Sequence, residues 1–585
     1  MTGRVAEIEN LISKDFLAVE IANKWMALDN NRNKWKVEKR ELRDYIFATD
    51  TSKTTNAQLP WKNKTTLPKL CQIRDNLHAN YMAALFPNDS WLRWEAYSEE
   101  GLDKDKREAI ESYMENKTRR SNFRKVISDL LYDYIDYGNC FADTIYVHET
   151  AIDELGSEFS TYSGPRAIRL SPFDVVFNPT SISFDHSYKI TRSLKTLGEL
   201  RVEAAENHSS KYQLDAINAI DNFRNEVSRY DTSEVEKAHG FVIDGFGSYS
   251  EYLESGYVEI LEFEGDIHDK DGNFLRNQLI TVIDRSTVLR RENNTNWAGR
   301  STMVHSGWRK RPDNLYGMGP LDNLVGMQYR IDHLENIKAD LFDLIAHPPL
   351  KVKGNVEEFD WEPFAQIIVG DDGDIEPLQV QATALQADTQ IAILEQKMDE
   401  FAGAPKQAIG ARTPGEKTAF EVQTLENNAN KMFQEKIQQF EIEVIEPLLN
   451  AMLEISRQNL DGIDVIGVMD TDFGVQNFMS ITKDDLRAKG KIRPVGARHF
   501  AARAQMVQNY MGFRNIFAVD PSVMNHISGK KEAEMFEDLL GLSRFDLVRD
   551  NIRIEEQAES QKLMNAMVQQ VQMDDMTPVD EEVPF

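Results

Sequence analysis

The run PLDNLVGMQYRIDHLENIKADLFDLIA, residues 320–346, limits the fold more than any other stretch. Pro320 suits the first turn of a helix, where its missing N–H is no loss, and His347-Pro348-Pro349 ends the run. Leu321, Leu324, Ile331, Leu334, Ile337, Leu341 and Leu344 recur at helical spacing along one side. With a rise of about 1.5 Å per residue, this predicts a rod of about 40 Å. A rod with a single apolar stripe is unstable alone and must bury that stripe against neighbours.

The chain beyond the rod has a simple order. Short β-rich pieces, LKVKG, AQIIVG and IEPLQV, surround the turn Asp371-Asp372-Gly373, and residues 383–401 return to helical spacing. Between Glu357 and Glu376 stand eight acids and no base: Glu357, Glu358, Asp360, Glu362, Asp371, Asp372, Asp374 and Glu376. That segment is either a docking surface for a basic partner or a solvated hairpin.

Next comes GARTPGEKTA, residues 410–419, which has the outline of a phosphate-binding loop. Gly410 and Gly415 have the right spacing, but Glu416 separates the second glycine from Lys417-Thr418. The extra carboxylate sits where phosphate would lie, and no apolar strand precedes the loop. Thr413-Pro414-Gly415-Glu416 reads instead as a capping box, with Thr413 the cap, Pro414 the first helical residue and Glu416 three after the cap. Val422, Leu425, Ala429, Met432, Ile437, Phe440, Val444 and Leu448 then predict one long helix to about residue 458. Pro447 removes a backbone bond and crowds Glu443, so a kink is expected there. The Gly/Ala/Pro loop before the cap carries two cations, Lys406 and Arg412.

The N-terminal 316 residues read as mixed α and β. Residues 3–48, 66–86 and 102–136 are predicted helices, with Thr66 a cap and Pro87 and Gly138 as stops. CFADTIYVH and AIRLSPFDVVFNP read as strands, 193–236 as polar helix, and Asp271-Gly272 as the turn of a hairpin. KIRPVG adds a short strand near residue 492, and the tail MDDMTPVDEEVPF is acidic.

The net charge of −29 argues against a generally nucleic-acid-gripping surface. KTRRSNFRK, Lys117 to Lys125, is either a solvated helix start paired with acids or a nucleic-acid patch, and the acidic balance favours the first. Cys71 and Cys140 form neither a disulfide framework nor a metal pair, and no apolar run reaches membrane length. Asp472-Phe473-Gly474 lacks the other kinase signatures, and a calcium loop begun at Asp269 would close on Ile280 rather than glutamate. His78, His333 and His499 are scattered. The residues point to no catalytic site, metal or cofactor.

The order of elements resembles the portal, or head-to-tail connector, proteins of short-tailed, podovirus-type bacteriophages. HANYMAALFPNDSWLRWE, ISDLLYDYIDYGNCFADTIYV with IRLSPFDVVFNP, LYGMGPLDNLVGMQYRIDHLENI, GARTPGEKTAFEVQTLENN and PLLNAMLEI carry the resemblance in that sequence. It implies an α+β, mainly helical portal fold: wing 1–316, first stem helix 317–346, clip 347–381, second stem helix 382–401, tunnel loop 402–413, long kinked wing helix 414–458, and crown with acidic tail 459–585. It further implies a ring, usually of twelve copies, at one capsid vertex of the virion, assembled in the bacterial cytoplasm. The implied partners are the major capsid protein, tail adaptors, the packaging terminase and double-stranded DNA passing Lys406 and Arg412. Two other readings stand beside it: an NTP-driven packaging enzyme, and a helical scaffold or adaptor.

Overall fold

A computed structural model describes residues 15–47, 50–86, 91–97, 104–152, 158–205, 212–227, 256–294, 301–354, 373–377, 386–402, 433–460, 462–470 and 475–494, with single helical residues between 510 and 535. Helices and strands are mixed, and the strands fall into several small sheets.

Within the described part of the predicted helix 3–48 stand two helices, α1 (Phe16–Asn31) and α2 (Asn33–Phe47); residues 3–14 and 48 lie outside the described residues. Arg32 breaks them apart. Its buried guanidinium donates to the carbonyls of Pro172 (2.7 Å), Val175 (2.8 Å) and Phe173, and to the Asp29 carboxylate at 2.9 Å. Helix α3 spans Lys69–Leu85 and is followed by β1 (Leu92–Ala96). Thr66 does not cap α3: the helix begins three residues later, and the Leu67 N–H before it is taken by the distant Asp332 carboxylate. The 102–136 run divides into α4 (Lys104–Arg120) and α5 (Phe123–Asp136), because Asn122 takes a left-handed φ of 55°.

Strands β2 (Asn139–Ile152) and β3 (Glu158–Leu170) form a long hairpin. Next come β4 (Val175–Phe177), β5 (Lys189–Thr196), α6 (Leu197–Ala205) and α7 (Leu214–Val227). The polar stretch predicted as helix from 193 thus begins as strand, since Lys189–Thr196 pairs with the next strand over its whole length. That partner is β6 (Tyr257–His268), followed by β7 (Phe274–Ile283) and β8 (Thr287–Asn293). Gly272, at φ 77°, turns β6 into β7.

These strands make an antiparallel sheet in the order β4-β5-β6-β7-β8. Alternation sorts its side chains. Leu261, Phe263, Ile280 and Val282 pack on Leu17, Ile21 and Trp25 of α1, while Val258, Ile260 and Ile283 pack on Leu200, Ile217 and Ile220 of α6 and α7. The sheet is therefore covered on both faces.

Strand β9 (Val304–Gly307) joins the edge of β2, and β10 (Arg309–Arg311) pairs with β11 (Asn314–Met318). Here the DYGN and LYGMG motifs meet. Gly138 has φ 69°, and a Cβ there would lie 2.2 Å from the Gly319 nitrogen. Buried Asn139 accepts the Gly317 N–H at 2.7 Å and donates to its carbonyl at 3.0 Å.

Helix α8 (Val325–Ala346), strands β12 (Leu350–Lys353) and β13 (Asp374–Pro377) and helix α9 (Ala387–Ala402) follow. Pro320 is not the first residue of α8. The Asp322 carboxylate accepts the Gly319 N–H at 2.9 Å and binds Lys39, which fixes residues 319–324 as a turn before the helix starts. A helical stretch at 433–440 leads through a π turn (Glu441–Ile445) into α10 (Glu446–Asn459).

The last described elements are β14 (Ile463–Asp470), β15 (Val475–Thr482) and β16 (Gly490–Pro494). Strand β16 pairs with β1, and Asp464 of β14 holds Lys117 of α4 at 2.6 Å. One compact unit runs from Met1 to Ala497, and a second comprises Arg498–Phe585.

Candidate functional site

The most distinctive local construction is the excursion α8–β12–β13–α9 and its attachment. Along α8, Gln328, Asp332, Asn336 and Asp340 recur every four residues and so share one row of the helix surface. They hold the backbone of residues 62–70, which runs alongside in the opposite direction. Gln328 accepts the Leu70 N–H at 3.3 Å, Asp332 accepts that of Leu67 at 3.1 Å, and Asn336 accepts that of Thr65 at 2.8 Å and donates to its carbonyl at 3.0 Å. Asp340 takes the N–H groups of Asn63 and Lys62 at 2.8 and 2.9 Å. Without this row, the segment before α3 would have few partners for its backbone donors. Burial raises the pKa of the Asp332 carboxyl to about 7, against the Leu67 and Gln328 hydrogen bonds that pull it down.

Helix α9 returns along α8. Ala387, Ile391, Leu394, Met398 and Ala402 form its packed stripe. Lys338 of α8 reaches Asp388 at 2.8 Å, and Lys69 of α3 reaches Asp399 at 3.1 Å. The pair is thus pinned near both ends of α9. The predicted apolar stripe of α8 is covered only at its base: Leu321, Leu324 and Ile331 are 0% exposed, but Leu344 is 43% exposed. Residues 342–347 are all exposed, and Phe342, Ile345, Val352, Ile393 and Phe401 join Leu344 as large apolar side chains open to solvent.

At the far end, β12 and β13 pair antiparallel, with Leu350 opposite Pro377 and Val352 opposite Ile375 on one face. Lys351 faces Glu376 and Lys353 faces Asp374 on the other. The two described members of the expected acidic surface, Asp374 and Glu376, therefore stand opposite lysines. Glu357, Glu358, Asp360, Glu362, Asp371 and Asp372 lie outside the described residues, as do Lys406, Gly410, Arg412, Thr413, Pro414, Gly415 and Glu416.

Pro447 lies two residues beyond the π turn Glu441–Ile445. The turn has the widened backbone path expected where a helix meets a residue that lacks an N–H and crowds the preceding turn. It also aims Glu443 at β9 and β10, where Ser306 donates to its carboxylate at 2.7 Å and Lys310 pairs with it. Beside them is a cleft of about 680 Å³, bordered by His305, Lys310, Glu443, Pro447 and Glu454. His305 packs against the rings of Phe141, Phe184 and Phe177 at 4.7, 5.0 and 5.4 Å, and burial lowers its pKa well below the ordinary histidine value.

Two of the histidines singled out in the sequence sit in aromatic contacts. His78 stacks on Tyr132 at 3.8 Å, and His333 accepts the Trp61 indole N–H at 3.1 Å, while His499 lies outside the described residues. Among the described residues, no three metal-ligating side chains converge, and no helix is long and apolar enough to cross a membrane. The four-residue polar row on α8 is not among the features expected from the sequence. Its sequence signal is Q-x-x-x-D-x-x-x-N-x-x-x-D, a polar row that an apolar stripe on the neighbouring face does not announce.

No family model matches the chain, and no curated protein matches its sequence.

Proposed function

We propose that this chain is a portal protein: a ring-forming conduit at a capsid vertex, through which a separate motor drives DNA and to which tail components attach. The observation that carries this reading is the α8–β12–β13–α9 excursion. Its base is locked to the body by a row of buried polar side chains, yet its outer half leaves Phe342, Leu344, Ile345 and Ile393 uncovered. A ring of copies would bury such a surface, since each helical pair can lean on the next. The resemblance of the element order supports the same reading. In it, α8 and α9 are the stem, β12 and β13 the base of the clip, and the segment holding Lys406 and Arg412 the tunnel loop.

Electron microscopy and native mass spectrometry of the purified chain test this. Closed rings of fixed stoichiometry around a channel are expected. Monomers at every salt and protein concentration would overturn it, and open filaments would favour a scaffold. Calorimetry with ATP should give no binding; binding that Lys417→Ala abolishes would favour the packaging enzyme. In assembled rings, Lys406→Glu with Arg412→Glu should preserve the ring and weaken DNA retention.

A further inference from the structure

We propose that the junction of α4 and α5 is a second contact for duplex nucleic acid, which binds the phosphate backbone without reading sequence. The cations of KTRRSNFRK separate into two groups. Lys117 is buried, donates to the Ser163 carbonyl at 2.6 Å and pairs with Asp464; Arg120 donates to the Thr161 carbonyl. Arg119, Arg124 and Lys125 are exposed and have no acidic partner among the described residues. In a chain with 96 acids against 67 bases, three cations on one recess without an acidic partner among the described residues are unexpected for a merely solvated face, even though Arg124 also stands 5.4 Å over the Phe86 ring.

Their positions sharpen the point. Arg119 stands in the last turn of α4, where a cation complements the helix dipole. Arg124 and Lys125 stand in the first turn of α5, where the dipole favours acids, and that turn contains none. Local helix energetics therefore disfavours the two cations, and an external anion would offset that cost. All three, with Glu115 as an acid on the wall, rim a recess of about 210 Å³ floored by Phe86, Trp91 and Phe123.

The chemistry favours phosphates over other partners. Trp91 is 8% exposed and Phe123 1%, so neither ring offers a face to an unpaired base, which argues against single strands. Among the described residues between 104 and 144, no large apolar side chain is openly exposed, so the patch lacks the apolar centre of a protein interface. What it offers is two guanidiniums, which suit phosphate oxygens bidentately, and one ammonium. The site lies within one chain, so the proposal does not rest on ring formation, and it is distinct from the tunnel loop.

The test uses the full chain carrying Lys406→Glu and Arg412→Glu, so that tunnel-loop binding is removed. Anisotropy of a labelled duplex of mixed sequence is measured across a salt series, with and without Arg119→Gln, Arg124→Gln and Lys125→Gln. The expected result is binding at low salt whose logarithm falls with log salt at a slope of roughly −2.7, three phosphates at about −0.9 each. The triple variant should bind at least tenfold more weakly, with a flatter slope and an unchanged thermal melt. Absence of binding at low salt, or equal binding by the triple variant, would overturn the proposal. So would tighter binding of polyglutamate than of the duplex at matched charge, which would assign the patch to a carboxylate-bearing protein.

Discussion

Asp332 of α8 accepts the backbone N–H of Leu67 at 3.1 Å, although 265 residues separate the two. Its Oδ1 also receives the Gln328 amide at 2.8 Å, while its Oδ2 is buried without a hydrogen bond. The helical pair is thus tied to the body through a carboxylate whose charged form is poorly solvated.

That arrangement makes stability depend on pH at this residue. The folded-state pKa, about 7, lies above the ordinary 3.8, so the folded chain holds the proton more tightly than the unfolded chain. The benefit is fully present below about pH 4 and is lost as pH rises through about 7. Asp332→Asn keeps an acceptor for Leu67 and removes the titration. The difference in unfolding free energy between variant and wild type should therefore move in the variant's favour from pH 4 to pH 8, by on the order of 3 kcal/mol. Denaturant titrations at the two pH values check this; a difference independent of pH would refute it.

Gly138 and Gly272 separate two costs that sequence alone cannot distinguish. Both have positive φ, 69° and 77°, but only Gly138 meets another backbone, at 2.2 Å from the Gly319 nitrogen; nothing lies within 4 Å of a Cβ on Gly272. Gly272→Ala should cost about 1 kcal/mol for the left-handed conformation. Gly138→Ala should cost several times that, because the DYGN and LYGMG segments must move apart and Asn139 loses its grip on Gly317. Soluble yield and melting of the two variants provide the comparison.

The same junction marks how far the sequence could be read. The α8 helix, its ending at His347-Pro348-Pro349, the return helix and the Asp271-Gly272 turn were legible because periodicity and turn chemistry are local. The break at Arg32 was not, since it is caused by carbonyls of residues 172–175 about 140 positions away. Nor was the pairing of β16 with β1, because KIRPVG carries no mark of its distant partner. At the candidate site, the apolar stripe was visible and the polar row beside it was overlooked. Which cations of KTRRSNFRK are free depended on Asp464 and on the Thr161 and Ser163 carbonyls, contacts that only the folded chain specifies.

A buried ion pair in the central sheet gives a sharper stability test than any surface pair. Arg285 holds both oxygens of Glu259 at 2.6 and 2.8 Å, and the side chains are 5% and 0% exposed. Arg285→Met leaves a carboxylate without its principal counter-charge in the sheet interior and should cost about 3–5 kcal/mol. Adding Glu259→Leu should recover part of that loss, because an apolar pair avoids the desolvation of both charges. A double-mutant cycle in denaturant measures it; a double variant as unstable as the sum of the singles would show that the two residues do not act together.

The uncovered end of the helical pair separates folding from assembly. Phe342 and Ile345 are 53% and 42% exposed in the single chain, so each leaves about half of its surface for a neighbour to cover. Phe342→Ser with Ile345→Ser should cost an isolated subunit on the order of 1–3 kcal/mol, from the half of each side chain that the chain itself buries. If neighbouring copies cover this surface, the same change exposes fewer apolar groups in the free subunit and removes contacts from every interface of a ring. Each fully buried side chain of this size contributes about 1.5–3 kcal/mol, so covering the exposed half of each should make the loss per interface comparable to the loss in the subunit and additional to it. Sedimentation over a range of concentrations, together with a denaturant melt of the dissociated chain, reads the two quantities independently. Unchanged assembly would remove this end of the pair from the interface.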